Sequence, residues 1–404
     1  MKKILQITLG IITSVGGFLE IGSVTTAAQA GALFGFQLLW AIALGTICLI
    51  FLVEMSGRLA AVSKHTIVDA MRERFGFPFF FFVLIGMVLV AFLVLIAELG
   101  GIGFALQILS GLGFPLWALP VSLVVWLMMW KGTFSLIENG ASLLGLVTIS
   151  FAVAAWKLNP DWSSVGASLL PTLPEQDKVK YGYLAVSILG ASISPYLMYF
   201  YSSGAIEDEW DRSYIAMNRV IAGFGMTLGG VLSICVLIVA AIALRPKGVQ
   251  VDTFPQAALL MTTALPRWGF YLFAFSMLFA CFGAALEISL AIAYFFAQGF
   301  NWNWSENLEP SKNARFAFVY TIIILVSAVP LMLHVDPIRV TMLAMALTSA
   351  TLPLAIVPFL FLMNDPIYLG KYRNGWITNS VVGIVVLISF VLAIISIPLQ
   401  IFGG

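Results

Sequence analysis

Charge is scarce in this chain: Asp, Glu, Lys and Arg together make up 10% of its 404 residues, where an ordinary soluble domain carries about 25%. That excludes a soluble enzyme. Histidine occurs only twice, as His65 and His334, and there are three cysteines, none in a CxxC or Cys/His spacing. With so few ligands and bases there is no hydrolytic triad, no metal-hydrolase cluster and no zinc site, and no glycine-rich phosphate loop is present either. Cys48, Cys235 and Cys281 all lie inside apolar runs and read as core- or lipid-facing thiols. A net charge of +1 leaves neither a basic surface for nucleic acid nor an acidic tail. Apolar sequence is what the chain has in quantity: 61% of residues are hydrophobic and the mean hydropathy is +1.03. Charge-free stretches of about 20 residues recur from end to end, each long enough to cross a bilayer. The expectation is one polytopic, all-α membrane domain over residues 1–404, with the lipid bilayer as its main partner.

Charge, Pro and Gly clusters divide the apolar runs into about eleven spans, near 4–30, 33–56, 77–107, 113–130, 140–157, 181–204, 220–244, 267–298, 314–334, 337–363 and 376–401. An odd count puts the termini on opposite sides. With the N-terminus inside, thirteen of the twenty Lys and Arg fall in inner segments (Lys2, Lys3, Arg58, Lys64, Arg72, Arg74, Lys131, Arg212, Arg219, Lys312, Arg315, Lys371, Arg373). The other seven (Lys157, Lys178, Lys180, Arg245, Lys247, Arg267, Arg339) fall outside, which favours a plasma (inner) membrane protein with a cytoplasmic N-terminus and an external C-terminus. Lys2 and Lys3, the following apolar run and Ala28-Gln29-Ala30 have the outline of a secretory signal, but Glu20 in the middle of that run argues against a cleavable one. The connections at 159–180 and 207–211 are polar and read as solvated loops.

Two spans differ from the rest. The first is interrupted at Gly16-Gly17-Phe18-Leu19-Glu20-Ile21-Gly22-Ser23 and the sixth at Gly190-Ala191-Ser192-Ile193-Ser194-Pro195-Tyr196. Interrupted spans at matching places in two five-helix halves point to a carrier built from inverted repeats, with its substrate site between the breaks. Glycine-rich helix packing is the plainer account of the same pattern, and Glu20 counts against it, because a carboxylate at mid-depth costs several kcal/mol unless it has a partner or a task. Six acids fall within or at the ends of spans. Glu54, Glu138 and Asp336 lie near span ends, where snorkelling suffices, and Asp336 has Arg339 one turn away. Glu20, Glu98 and Glu287 lie deeper, with no Lys or Arg in their spans, so each must carry a proton, take hydrogen bonds from hydroxyls, or bind a cation.

The run Glu20 to Trp40 resembles the first helix of the NRAMP metal transporters, where an Asp, Pro, Gly, Asn motif is followed at the same spacing by Gln-Ala-Gly (here Gln29-Ala30-Gly31) and Leu-Leu-Trp (here Leu38-Leu39-Trp40). Arg72-Glu73-Arg74-Phe75 resembles the family's loop after the second span. Ile188 to Tyr196 with Tyr199 and Ser202-Ser203 resembles its sixth helix, and Asp336-Pro337-Ile338-Arg339 with Leu352 to Pro358 its tenth. The resemblance implies the LeuT-type fold, an inverted repeat of two five-helix halves (about 4–157 and 181–363) plus an eleventh helix (about 376–401).

It also implies a site, and there the sequence departs from the family. By position, the family's metal-binding Asp is Glu20, its Asn is Ser23, its Met is Ser194, and the backbone carbonyl donors are those of Gly17 and Ala191. The soft thioether is gone, leaving carboxylate, hydroxyl and carbonyl oxygens that suit hard ions. The family's His is Tyr196, and of two acids in the third helix the first is Leu95 and only the second remains, as Glu98. Glu287 is added on the eighth helix, either as a second carboxylate for the substrate or, with Glu98, as a proton carrier. The leading expectation is an alternating-access carrier, without cofactor, for a small inorganic cation, a hard divalent metal such as Mg or Mn. A carrier of a non-metal solute, with Phe18, Tyr196 and Tyr199 lining an organic pocket, is the alternative, and a non-transporting sensor a third.

Overall fold

The computed structural model describes residues 18–131, 146–174, 177–266 and 268–402. Among these the regular structure is helical. The second part of the first span is α1 (Ile21–Phe34), followed by α2 (Leu39–Ser63), a short amphipathic α3 (Ile67–Phe75), α4 (Phe77–Ser110) and α5 (Phe114–Trp130). Then come α6 (Ser150–Lys157), the connecting α7 (Trp162–Ala167), the two parts of the sixth span, α8 (Lys178–Ser192) and α9 (Pro195–Glu207), and α10 (Ile215–Ala243). The chain ends with α11 (Phe254–Ala264), α12 (Gly269–Gly299), α13 (Ala314–Met332), α14 (Pro337–Asn364), the short α15 (Pro366–Leu369) and α16 (Trp376–Phe402).

Among the described residues eight helical stretches are long and apolar enough to cross a membrane, the sixth span counting as one, and two shorter apolar helices, Phe114–Trp130 and Val147–Lys157, fill the fourth and fifth places. Within the described residues each expected span is met by helix; the first part of the first span, the start of the fifth, Gly17 and Glu138 lie outside the described residues. Large apolar side chains such as Phe82, Leu116, Phe224 and Phe318 are exposed at 64–67%, as an outer surface solvated by lipid rather than water requires.

The bundle has a basic end, where Lys64 meets the Trp210 carbonyl, Arg72 the Gln298 carbonyl, Arg74 Asp365 and Arg219 Glu54, and an opposite end. α12 packs along α4, α10 along α1 and α2, and α14 against α4, α8 and α16. The half-helices therefore lie in the middle of the bundle. Gly190 of α8 sits so close to α14 that an added Cβ would fall 1.8 Å from the Met345 carbonyl oxygen, which only glycine allows.

Both ends are tied. At the basic end Arg58 hydrogen-bonds the Tyr372 carbonyl and Asn374 Oδ1 (2.8 Å) and pairs with Glu54 at 3.0 Å. Asn218 of α10 donates to the Glu54 carbonyl at 2.8 Å. Glu54, expected to snorkel, is instead held between Arg58 and Arg219. At the opposite end Trp40 donates to the Tyr181 hydroxyl (2.9 Å), which donates to the Thr172 carbonyl (2.6 Å), and Gln29 donates to the Val251 carbonyl (2.7 Å). Asp336 caps α14 through the Ile338 N–H at 3.0 Å, with Arg339 3.8 Å away as expected.

Two expectations for the connections need amending. Glu207 is not a freely solvated loop acid: it ends α9, half-buried, and accepts from Ser305 Oγ (2.9 Å) and the Glu306 N–H (3.0 Å). The 159–180 connection contains α7, whose N-cap Asp161 accepts from the Ser163 N–H at 3.1 Å.

Candidate functional site

The first break ends at Glu20, whose extended backbone (φ −108°, ψ 178°) forms the N-cap of α1. Its amide N–H donates to Ser23 Oγ at 3.1 Å, and that hydroxyl lies 3.0 Å from the Glu20 carbonyl, so Ser23 caps the helix start. The second break lies at Ile193 and Ser194, where α8 ends and Pro195 opens α9 with its fixed φ and no N–H to satisfy. Ser194 Oγ is placed to donate to the Ala191 carbonyl (3.2 Å) or to Glu20 Oε1 (3.3 Å).

The two breaks meet at the Glu20 carboxylate. Glu20 is fully buried, Tyr196 Oη donates to its Oε2 at 2.7 Å, and Ser194 approaches its Oε1. No Lys or Arg pairs with it among the described residues. The site also lies at the positive, N-terminal ends of α1 and α9, where a carboxylate is stabilised by aligned peptide dipoles.

Glu98 of α4 is fully buried, and its Oε1 accepts the Ile21 N–H, the first amide of α1, at 3.2 Å. Its Oε2 has no hydrogen-bond partner among the described residues. The acid thus ties the third span to the broken helix, with Cys281 of α12 as a neighbour. Close packing permits this: a Cβ on Gly101 would lie 2.6 Å from Cys281 Sγ and 2.8 Å from Ile21 Cδ1. Glu287, 4% exposed, is near enough to interact electrostatically with both Glu98 and Tyr196.

The fold therefore gathers Glu20, Ser23, Ala191, Ser194, Tyr196, Glu98 and Glu287 into one region. It does not gather the carboxylates into a cage: among the described residues no group of three or more His, Cys, Asp or Glu side chains could hold a metal ion. A cation here would meet one carboxylate, hydroxyls, the carbonyls freed at the breaks, and water.

A narrow cavity opens beside the break. It is bordered by Ser194, Pro195, Tyr196 and Thr348 and by the apolar Met87, Val90, Ala91, Val94 and Phe295. Neither Phe18 nor Tyr199 borders it; Phe18 packs on Gly229 and Tyr199 on Phe295. The Glu98 tie to Ile21, which crosses 77 residues of sequence, has no signal in the chain.

The sequence model of the Nramp family, described as natural resistance-associated macrophage protein-like, matches residues 10–398. The divalent metal cation transporter MntH of Deinococcus radiodurans is 28% identical over 366 residues, covering 87% of this chain and 79% of the relative. In fold, the chain is similar to a crystal structure of a mutant of the Eremococcus coleocola manganese transporter, with a TM-score of 0.80 at 21% identity, covering 98% of this chain and 86% of that one. It also resembles Mhp1, a nucleobase-cation-symport-1 family transporter, with a TM-score of 0.57 at 15% identity over 98% and 93% of the two chains. The architecture is the LeuT-type fold that the family resemblance implied.

Proposed function

Because the chain belongs to the Nramp family, we propose that this multi-pass membrane protein is a secondary carrier of a divalent metal cation, working by alternating access, and that Glu20 is the first ligand of the ion. The observation that carries this reading is a fully buried carboxylate, paired with no base among the described residues, at the meeting of two broken helices and approached by two hydroxyls. A buried anion in that setting is kept for a cation. The relative named for divalent metal transport supports the class of cargo.

Within that class the donor set favours a hard ion such as Mn or Mg. Ser194 supplies oxygen rather than sulfur, the carbonyls of Gly17 and Ala191 remain candidate donors, and one carboxylate with few fixed ligands leaves room for the waters that Mg retains. Ser23 is the weaker candidate ligand, since its hydroxyl is engaged by the Glu20 backbone. Glu287 supplies a second negative charge near Tyr196. Glu98 and Glu287 are the candidate proton carriers, and with Tyr196 and Leu95 in place of an ionisable His and acid, coupling to protons is weak. The Lys and Arg distribution supports a plasma membrane protein with its basic end and N-terminus in the cytoplasm.

Titration calorimetry of the purified protein with Mn, Mg, Ca and Cd, paired with uptake into liposomes, tests the reading. Saturable binding and uptake of Mn or Mg, with Cd a poor competitor, is expected. Uptake of none of the four ions would overturn it.

A further inference from the structure

Helix α9 runs from the break to the basic end and carries hydroxyls at Tyr196, Tyr199 and Ser203, spaced three and four residues apart and so along one face. The first binds Glu20. The second, Tyr199 Oη, belongs to a residue only 2% exposed and has no hydrogen-bond partner among the described residues. The third, Ser203 Oγ, accepts from Gln298 Nε2 of α12 at 2.8 Å. Gln298 is itself buried, and its Oε1 likewise lacks a partner among the described residues. Its backbone carbonyl accepts from Arg72 of α3 at 3.0 Å, and Arg72 faces Asp69 at 3.8 Å.

Beside both Tyr196 and Tyr199 stands Phe295 of α12. One side of this residue borders the cavity at Ser194 and Tyr196; its ring meets the Tyr199 ring edge-to-face, with centroids 4.8 Å apart and planes at 72°. Tyr199 and Phe295 belong to the apolar cluster of the basic end with Met198, Phe80 and Phe359, whereas Tyr196 belongs to the main core. The ring pair therefore stands where the packing of the basic end meets the break.

An interior built only for packing would not keep an unpartnered hydroxyl and an unpartnered amide oxygen in one short stretch, since each orphaned polar atom costs stability. Both become satisfied if this stretch takes up water or a cation in another conformation. We propose that Tyr199 Oη and Gln298 Oε1 are stepping oxygens on the route by which the cation leaves Glu20 for the basic end, and that the Tyr199–Phe295 ring pair closes that route. This rests on Glu20 as the cation site. Oxygen donors of this kind suit a hard divalent ion. Arg72 at the mouth does not bar its passage, because Asp69 and the C-terminal carbonyls of α12 offset the positive charge.

Two variants test this. Tyr199→Phe removes only the orphaned hydroxyl. In liposomes its Mn uptake should fall at least five-fold while Mn binding changes less than two-fold and the unfolding midpoint stays level or rises; uptake within two-fold of the unaltered protein overturns the stepping role. Phe295→Ala, combined with Ser194→Cys, reads the closure without any cation. A small hydrophilic thiol reagent supplied from the basic end should modify the Ser194→Cys thiol at least ten-fold faster once Phe295 is truncated, above the background of Cys48, Cys235 and Cys281 in the chain with Ser194 intact. An unchanged rate overturns the closure. Failure of Glu20 as the cation site shows separately, as Mn binding that survives Glu20→Gln.

Discussion

Glu20→Gln separates the charge of the site from its shape. The amide has nearly the volume of the carboxylate, its oxygen still accepts from Tyr196 Oη, now at 2.7 Å to Oε2, and its NH2 can turn to Ser194 Oγ, now 3.3 Å from Oε1. A hydrogen bond to a charged group contributes about 1.5–3 kcal/mol and a neutral one about 0.5–1.5. The folded state thus loses about 1 kcal/mol for the Tyr196 bond, offset by no longer burying a full charge. The bound ion loses much more: removing one partner of a buried charge pair costs about 3–5 kcal/mol, or a factor of roughly 100–4,000 in dissociation constant. Calorimetry with Mn on the purified variant should therefore show binding weakened by at least about 100-fold. Uptake into liposomes should be lost at micromolar Mn, and the unfolding midpoint in the same detergent should move by only a few degrees. Flux and affinity equal to those of the unaltered protein would refute the reasoning, since no other charged residue stands at the first break.

Three further outcomes are expected. Ser194→Met restores a thioether beside Glu20 and should raise the affinity for Cd relative to Mg; a Cd to Mg ratio that does not move in competition uptake would place Ser194 away from the ion. Gly190→Ala drives a methyl toward the Met345 carbonyl, 1.8 Å from the ideal Cβ position, and should destabilise the protein by about 1–3 kcal/mol through overpacking. Thermal unfolding measures that loss, and an unchanged midpoint would mean that the half-helix separates easily from α14. Uptake of Mn should bring little acidification of the liposome lumen, read by a trapped pH-sensitive dye. Acidification that depends on substrate and disappears in Glu98→Gln or Glu287→Gln would replace weak coupling with a defined proton carrier.

Most of the architecture is legible in the chain because a bilayer leaves few choices: each long apolar run must be a helix, and a run broken by Gly, Ser and Pro must break where neighbouring helices can satisfy its backbone. That logic finds both breaks, and the family resemblance aligns Glu20, Ser194 and Tyr196 across them. It misses α11, although Thr253, Pro255 and Gln256 hold a start signal: the Gln256 side chain accepts the Thr253 N–H at 2.8 Å, half of a capping box. A helix too short to span is invisible to a search for spans. Glu54 is misread for a different reason. Its distance from the span end is correct, but the partner that holds it besides Arg58 is Arg219, 165 residues away, and periodicity does not encode which helices become neighbours. The same limit applies to Glu98. Its depth singles it out, and proton carriage is the role the sequence offers for it; the fold adds a bond to the first amide of α1. That bond gives the acid a mechanical role that does not depend on carrying protons. A carboxylate that caps the broken helix holds α1 against α4, and any movement of the break that accompanies release of the cation must lengthen or keep that bond. Glu98 thus stands where substrate, helix and any coupled proton would meet, and the choice among these roles lies in the geometry of the break rather than in the residue type.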